Sequence, residues 1–178
     1  IPYYLERVKK PDLAFVPDAD FPVIHGEKGI LIFDLKKKLN QPSKGNLVLE
    51  KIQGGNAPNM VPDGCTAILR VDSDVRKDVE DRLRTFVQET GWDLSMKETE
   101  PGRITISCKG KSAHGSTPEK GINAISRLMK FLGELPFEDC DAKEIIRLYN
   151  RHIGMEYYGE SIGCGLEDEV SGKLIFNV

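Results

Sequence analysis

Apolar and polar positions recur along this chain with two periods, and the switches between them predict most of its elements. From Cys65 to Val71, and again from Arg103 to Lys109, apolar and polar residues alternate, with Ile104, Ile106 and Cys108 on one side of the second run. That is the pattern of strands buried on one face. After the first run, Val75, Val79, Leu83, Phe86 and Val87 share one face of a helix that Asp72 or Ser73 caps and Gly91 ends, after Thr90. A strand from Trp92 to Glu98 turns through Glu100-Pro101-Gly102 into Arg103. A second helix is predicted from Pro118, capped by Thr117, to Gly133, with Ile122, Ile125, Leu128, Met129 and Leu132 inward. A third follows near Asp139 to Arg151, and Lys173 to Val178 reads as a closing strand.

From Cys65 these elements run β-α-β-β-α-β. The expected fold class is therefore α+β: a ferredoxin-like two-layer sandwich with helices on one face of an antiparallel sheet. Two additions are expected. Ile30 to Leu39 and Leu47 to Gln53, separated by a turn-rich stretch from Asn40 to Asn46, read as an extra N-terminal hairpin. The helix near Asp139 reads as a helical insertion. Upstream, residues 1–10 are amphipathic and helical in pattern, and Leu13 to Val16 is a short buried strand closed by Pro17-Asp18-Ala19-Asp20.

Composition narrows the function classes. At 178 residues the chain can bury a core of its own, and 39% apolar with 30% charged residues suits a soluble globular domain. The net charge of −3 offers no basic field, so nucleic acid is not the expected partner. No apolar run approaches the roughly 18 residues that cross a bilayer, so no membrane partner is expected either. Cys65, Cys108, Cys140 and Cys164 lie far apart without a C-x-x-C pair, which predicts neither a disulfide framework nor a zinc knuckle and suggests a cytoplasmic, reduced setting. Starting at Ile1 and stopping within an apolar strand pattern, the chain is expected to be a piece of a longer protein.

The candidate chemistry centres on Lys111-Ser112-Ala113-His114-Gly115-Ser116-Thr117-Pro118, which sets a histidine among small residues before a helix start. At a helix N-terminus the dipole disfavours the imidazolium, so a neutral His114 could donate a hydrogen bond to a developing oxyanion; the alternative is a histidine that only satisfies loop carbonyls. Gly110-Lys111-Ser112 mimics the end of a phosphate-binding loop, but Thr105 stands where its first glycine is needed. Asp18 and Asp20 follow a short strand, where carboxylates are offered to metals or form Asx turns. With only His25, His114 and His152 in unrelated contexts, the chain cannot assemble a full zinc site alone. Asn59, in the long turn from Gly54 to Gly64, could hydrogen-bond a substrate, whereas Asn56 reads as turn-shaping. Glu167-Asp168-Glu169 and Lys36-Lys37-Lys38 read as solvated surface.

Three segments in order carry a family resemblance: Pro17-Asp18-Ala19-Asp20-Phe21-Pro22-Val23-Ile24-His25-Gly26-Glu27-Lys28-Gly29, Ala57-Pro58-Asn59-Met60-Val61-Pro62-Asp63, and Gly110 to Pro118. Together they resemble the PepV-type dipeptidases of the aminoacylase and carboxypeptidase-G superfamily of zinc-dependent peptidases. The resemblance implies a two-part enzyme, with a catalytic domain holding two zinc ions and a lid that closes over a dipeptide substrate. It makes residues 1–25 the tail of the catalytic domain and residues 26–178 the lid, truncated at its C-terminus. It further implies that Asp18 is a metal ligand, that His114 reaches across to polarise the scissile carbonyl, and that Asn59 helps hold the substrate. The other metal ligands, the general base and a carboxylate-binding arginine have no match here, so the missing catalytic domain of the same polypeptide is the implied partner.

Two other readings stand beside this one. A ferredoxin-like unit of this kind also serves as a non-catalytic dimerisation or small-ligand-binding module, and the same superfamily includes deacylases that act on N-acyl-amino acids.

Overall fold

The structure, a computed structural model, describes residues 6–9, 12–13, 26–40 and 45–178. The chain divides into two compact units, Ile1–Leu31 and Ile32–Val178. In the first, the described residues hold only a turn at residues 6–7 and an irregular stretch from Gly26. The helix expected over residues 1–10 and the strand at Leu13 to Val16 fall mostly outside the described residues.

The second unit is α+β. Four strands, β1 (Leu47–Gly54), β2 (Gly64–Val71), β3 (Leu94–Glu100) and β4 (Arg103–Lys109), form an antiparallel sheet in the order β1-β2-β4-β3. Helices α1 (Ser73–Thr90), α2 (Ala124–Gly133) and α3 (Asp141–His152) complete it, consistent with a ferredoxin-like sandwich. α1 packs on β3, α2 on β2 and β4, and α3 on α2. The alternation in the strands is the cause of the layering. Cys65, Ala67, Leu69 and Val71 of β2 and Ile104, Ile106 and Cys108 of β4 are buried, whereas Thr66 and Arg70 between them are exposed. Opposite them Val79, Leu83 and Phe86 of α1 and Leu128, Phe131 and Leu132 of α2 close the core, with Phe86 meeting Trp92 and Phe131 edge-on at 5.6 and 5.2 Å. Gly91, left-handed at φ 67°, ends α1 as expected.

Three expectations are corrected. A hairpin does open the sheet, but its strands are β1 and β2; no strand forms over Ile30 to Leu39. Pairing with β2 in the register Leu47↔Val71 and Leu49↔Leu69 turns both leucines toward the core. Residues 32–40 instead run beside α3, where Lys37 bridges Asp141 and Glu144 and the Asn40 amide donates to Asp141 at 2.6 Å. The closing strand is also absent. The edge of the sheet beside β2 is occupied by β1, and of the expected strand only Lys173 pairs, Gly172–Lys173 meeting Glu167–Asp168 in a small separate ladder. The residues beyond are irregular and are tied by single bonds such as Phe176 N–H to the Tyr157 carbonyl at 2.8 Å.

The second predicted helix, finally, starts six residues late. Pro118–Lys120 is one 3₁₀ turn; Ile122 then pairs with Lys111 through two backbone bonds of 2.8 and 3.0 Å, which a continuing helix would forfeit. Asn123 therefore caps α2, its side chain accepting the Ser126 N–H at 3.0 Å, and Thr117 makes no side-chain cap bond.

Truncating Phe131 to alanine leaves a cavity at the centre of the helical layer, and a loss of about 3–5 kcal/mol is expected, read as a lower denaturant midpoint at unchanged m-value. Burial also pushes the Cys65 thiol up to about 12, the Cys108 thiol to about 11 and the Tyr149 phenol to about 12. These groups keep protons in the folded chain that the unfolded chain releases above pH ~9 to 10. Their contribution to stability is therefore full below that range and is lost as pH climbs toward ~12. Chemical denaturation from pH 7 to 11 is expected to show a flat midpoint followed by a fall.

Candidate functional site

The β2–β4 ladder does not stop at the strand ends. Gly110 N–H donates to the Asp63 carbonyl at 2.8 Å, Val61 N–H to Ala113 at 2.8 Å, and Gly115 N–H to Asn59 at 2.7 Å, so the loop from Ala57 to Asp63 lies along the loop from Gly110 to Thr117. Met60 and His114 form an isolated antiparallel bridge in this extension. The Ala124 amide at the start of α2 donates to the Pro62 carbonyl at 2.8 Å, which ties both loops to the helical layer. Backbones approach so closely that a side chain would clash at two points and be tightly crowded at a third. A Cβ on Gly110 would lie 2.1 Å from the Ile122 carbonyl oxygen, one on Gly121 2.8 Å from that of Lys111, and one on Gly115 3.0 Å from that of Asn59.

His114 is exposed on this platform. The Ser116 amide donates to its Nδ1 at 3.2 Å, and the Ser116 hydroxyl lies 2.7 Å from the same nitrogen. An amide can only donate, so Nδ1 is the acceptor and the ring proton sits on Nε2. The neutral ring thus carries one N–H donor, for which the described residues provide no partner. His114 does not stand at the helix N-terminus expected for it, since a single 3₁₀ turn follows the histidine and α2 begins beyond Asn123.

Asn59 is also exposed, and its carbonyl is the acceptor for Gly115. The fold therefore brings His114 and Asn59 to adjacent rungs of one backbone ladder. Asn56 shapes the turn through a 3.4 Å contact with Asp63. Asp18, the predicted metal ligand, lies outside the described residues, as does His25. His152 sits at the end of α3, within 3.4 Å of the Ser161 carbonyl. Among the described residues no three His, Cys, Asp or Glu side chains cluster to hold a metal, and no helix is long and apolar enough to cross a membrane.

Two residues of the site escape a reading of the sequence. Ser116 has a signal in hindsight, a hydroxyl two positions after the histidine in a tight turn. Asn177 has none. It comes 117 residues after Met60, yet its side-chain amide donates to the Met60 carbonyl at 3.0 Å and to that of Pro58 at 3.3 Å.

Comparison with known proteins places part of the chain in a domain family. Residues 102–159, which include β4, the His114 loop, α2 and α3, match the M20 peptidase dimerisation domain. A protein of Staphylococcus epidermidis (strain ATCC 12228) named "Putative dipeptidase" is 32% identical over 178 aligned residues, covering 98% of this chain and 37% of that protein. One of the same description from Staphylococcus aureus (strain MRSA252) is 33% identical over the same shares. The chain thus spans little more than a third of the length of these relatives. The domain match and the relatives together support the M20 peptidase family.

The close approaches make the glycines test sites for the platform. Gly110→Ala is expected to cost at least as much as the about 1–3 kcal/mol typical of overpacking, because its Cβ would meet backbone rather than a flexible side chain. A thermal melt of Gly110→Ala indistinguishable from that of the parent chain would contradict the close approach.

Proposed function

We propose that this chain is the lid of a dipeptidase of the M20 type, and that it supplies an imidazole and a side-chain amide to a substrate held by the rest of the polypeptide. The observation that carries the reading is the His114 ring, exposed, with Nδ1 engaged by Ser116, on the same backbone ladder as Asn59; the reading takes the ring proton to sit on Nε2. As water adds to the scissile carbonyl, its oxygen gains negative charge. The Nε2–H of His114 donates to that oxygen, and a donor already fixed in its tautomer needs no reorganisation as the charge develops. Asn59 offers both donor and acceptor to the substrate's polar end. Two zinc ions held by a catalytic domain elsewhere in the polypeptide, with Asp18 among their ligands, belong to the same proposal. The described residues do not assemble such a centre, so the contribution derived for this chain is the imidazole and the amide.

A second reading is favoured by the domain match itself, namely that the unit serves self-association. It predicts a stable dimer in sedimentation without any substrate or metal, whereas the lid reading needs no dimer.

In the intact polypeptide, His114→Ala is expected to lower dipeptide turnover by about 10²- to 10³-fold, the usual cost of one oxyanion donor, with metal content unchanged. Turnover within a few-fold of the parent would refute the role of His114.

A further inference from the structure

The carbonyls of Pro58, Asn59 and Met60 are three consecutive acceptors, and each has a partner. The middle one takes the Gly115 N–H at 2.7 Å; the outer two take the two N–H donors of the single Asn177 amide, at 3.3 and 3.0 Å. One side chain from the far end of the chain thus chelates the backbone on either side of Asn59. It also reaches the neighbouring loop, since the same nitrogen lies 3.3 Å from where a Cβ on Gly115 would stand. Beside it, the Asn123 amide donates to the Val178 carbonyl at 3.1 Å while its oxygen caps α2, and Phe176 N–H bonds Tyr157. Asn177 is therefore held in place from both sides and does not hang from a free tail.

We infer that Asn177 is a positioning residue for substrate binding: it fixes the Asn59 loop against the His114 loop, so that the exposed Asn59 side chain is presented from an ordered backbone. The inference rests on the proposed function and adds to it a residue without contact to the substrate. A loop of this kind would otherwise sample several backbone conformations, and a binding group displaced by about 1 Å loses much of its effect. With all three carbonyls occupied, the ordering is complete before substrate arrives.

The test is Asn177→Asp in the intact polypeptide. The change is nearly isosteric, and it replaces two donors by acceptors that repel the Pro58 and Met60 carbonyls. A rise in KM for a dipeptide of about 10-fold is expected, with kcat changed by less than about threefold. Combined with Asn59→Ala, which removes the group being positioned, it is expected to add nothing further. Faster hydrogen exchange at the Gly115 and Val61 amides, with α2 amides unchanged, is the accompanying signature, and it does not depend on activity. An unchanged KM, an effect additive with Asn59→Ala, or exchange that rises equally throughout α2 would overturn the inference. Should the aspartate variant fail to fold, Asn177→Ala removes the donors without adding charge and is read the same way. If His114→Ala retains full turnover, the proposed function fails; if His114→Ala behaves as expected and Asn177→Asp leaves KM alone, only the positioning role fails.

Discussion

Continued backbone pairing between β2 and β4 beyond the sheet is the constraint on which the candidate site depends. Hydrogen bonds at Gly110–Asp63, Val61–Ala113 and Gly115–Asn59 carry two loops outward side by side. Each bond contributes only about 1 kcal/mol net. Their larger effect is geometric, since they remove the relative freedom of the two segments that bear His114 and Asn59. The glycines at positions 110 and 121 are what allow the approach, since a Cβ there would meet backbone oxygens at under 3.0 Å, and Gly115 eases it.

A ladder of this kind fixes backbones, and side chains need a second device. For His114 the device is local: the Ser116 amide sets the tautomer and so decides that the ring offers a donor outward.

The sheet and helices were legible in the sequence where periodicity was long and uninterrupted. Val79, Leu83 and Phe86 announced α1, and Ile104, Ile106 and Cys108 announced β4, because burial of one face leaves a repeating mark. His114 and Asn59 were visible as a polar residue among small ones and as part of a long turn, though the ladder that unites them was not. What failed were choices among competing partners. The Leu47 run could pair on either side, and burial of Leu47, with Leu49 packed against the core beside β2, decided it. Thr117-Pro118 looked like a helix start, but the two bonds between Ile122 and Lys111 outweighed an early cap. Asn177 could not be read at all, because its two acceptors lie more than a hundred residues away and leave no trace in local pattern.

The site stays exposed without being loose because each of its loops joins an exposed polar residue to a buried anchor. Asn59 is exposed, Met60 half-buried, and Val61 and Pro62 buried; His114 is exposed and Pro118, four residues on, is buried. Val61 packs within 2.9 Å of the Cβ position on Gly121, so the apolar anchor of one loop rests on the backbone of the other. Burial of a valine is worth about 1.5–3 kcal/mol, more than any single bond of the ladder. The core therefore holds the platform from below while hydrogen bonds set its register, and His114 and Asn59 join that ladder through their backbones while their side chains stay exposed.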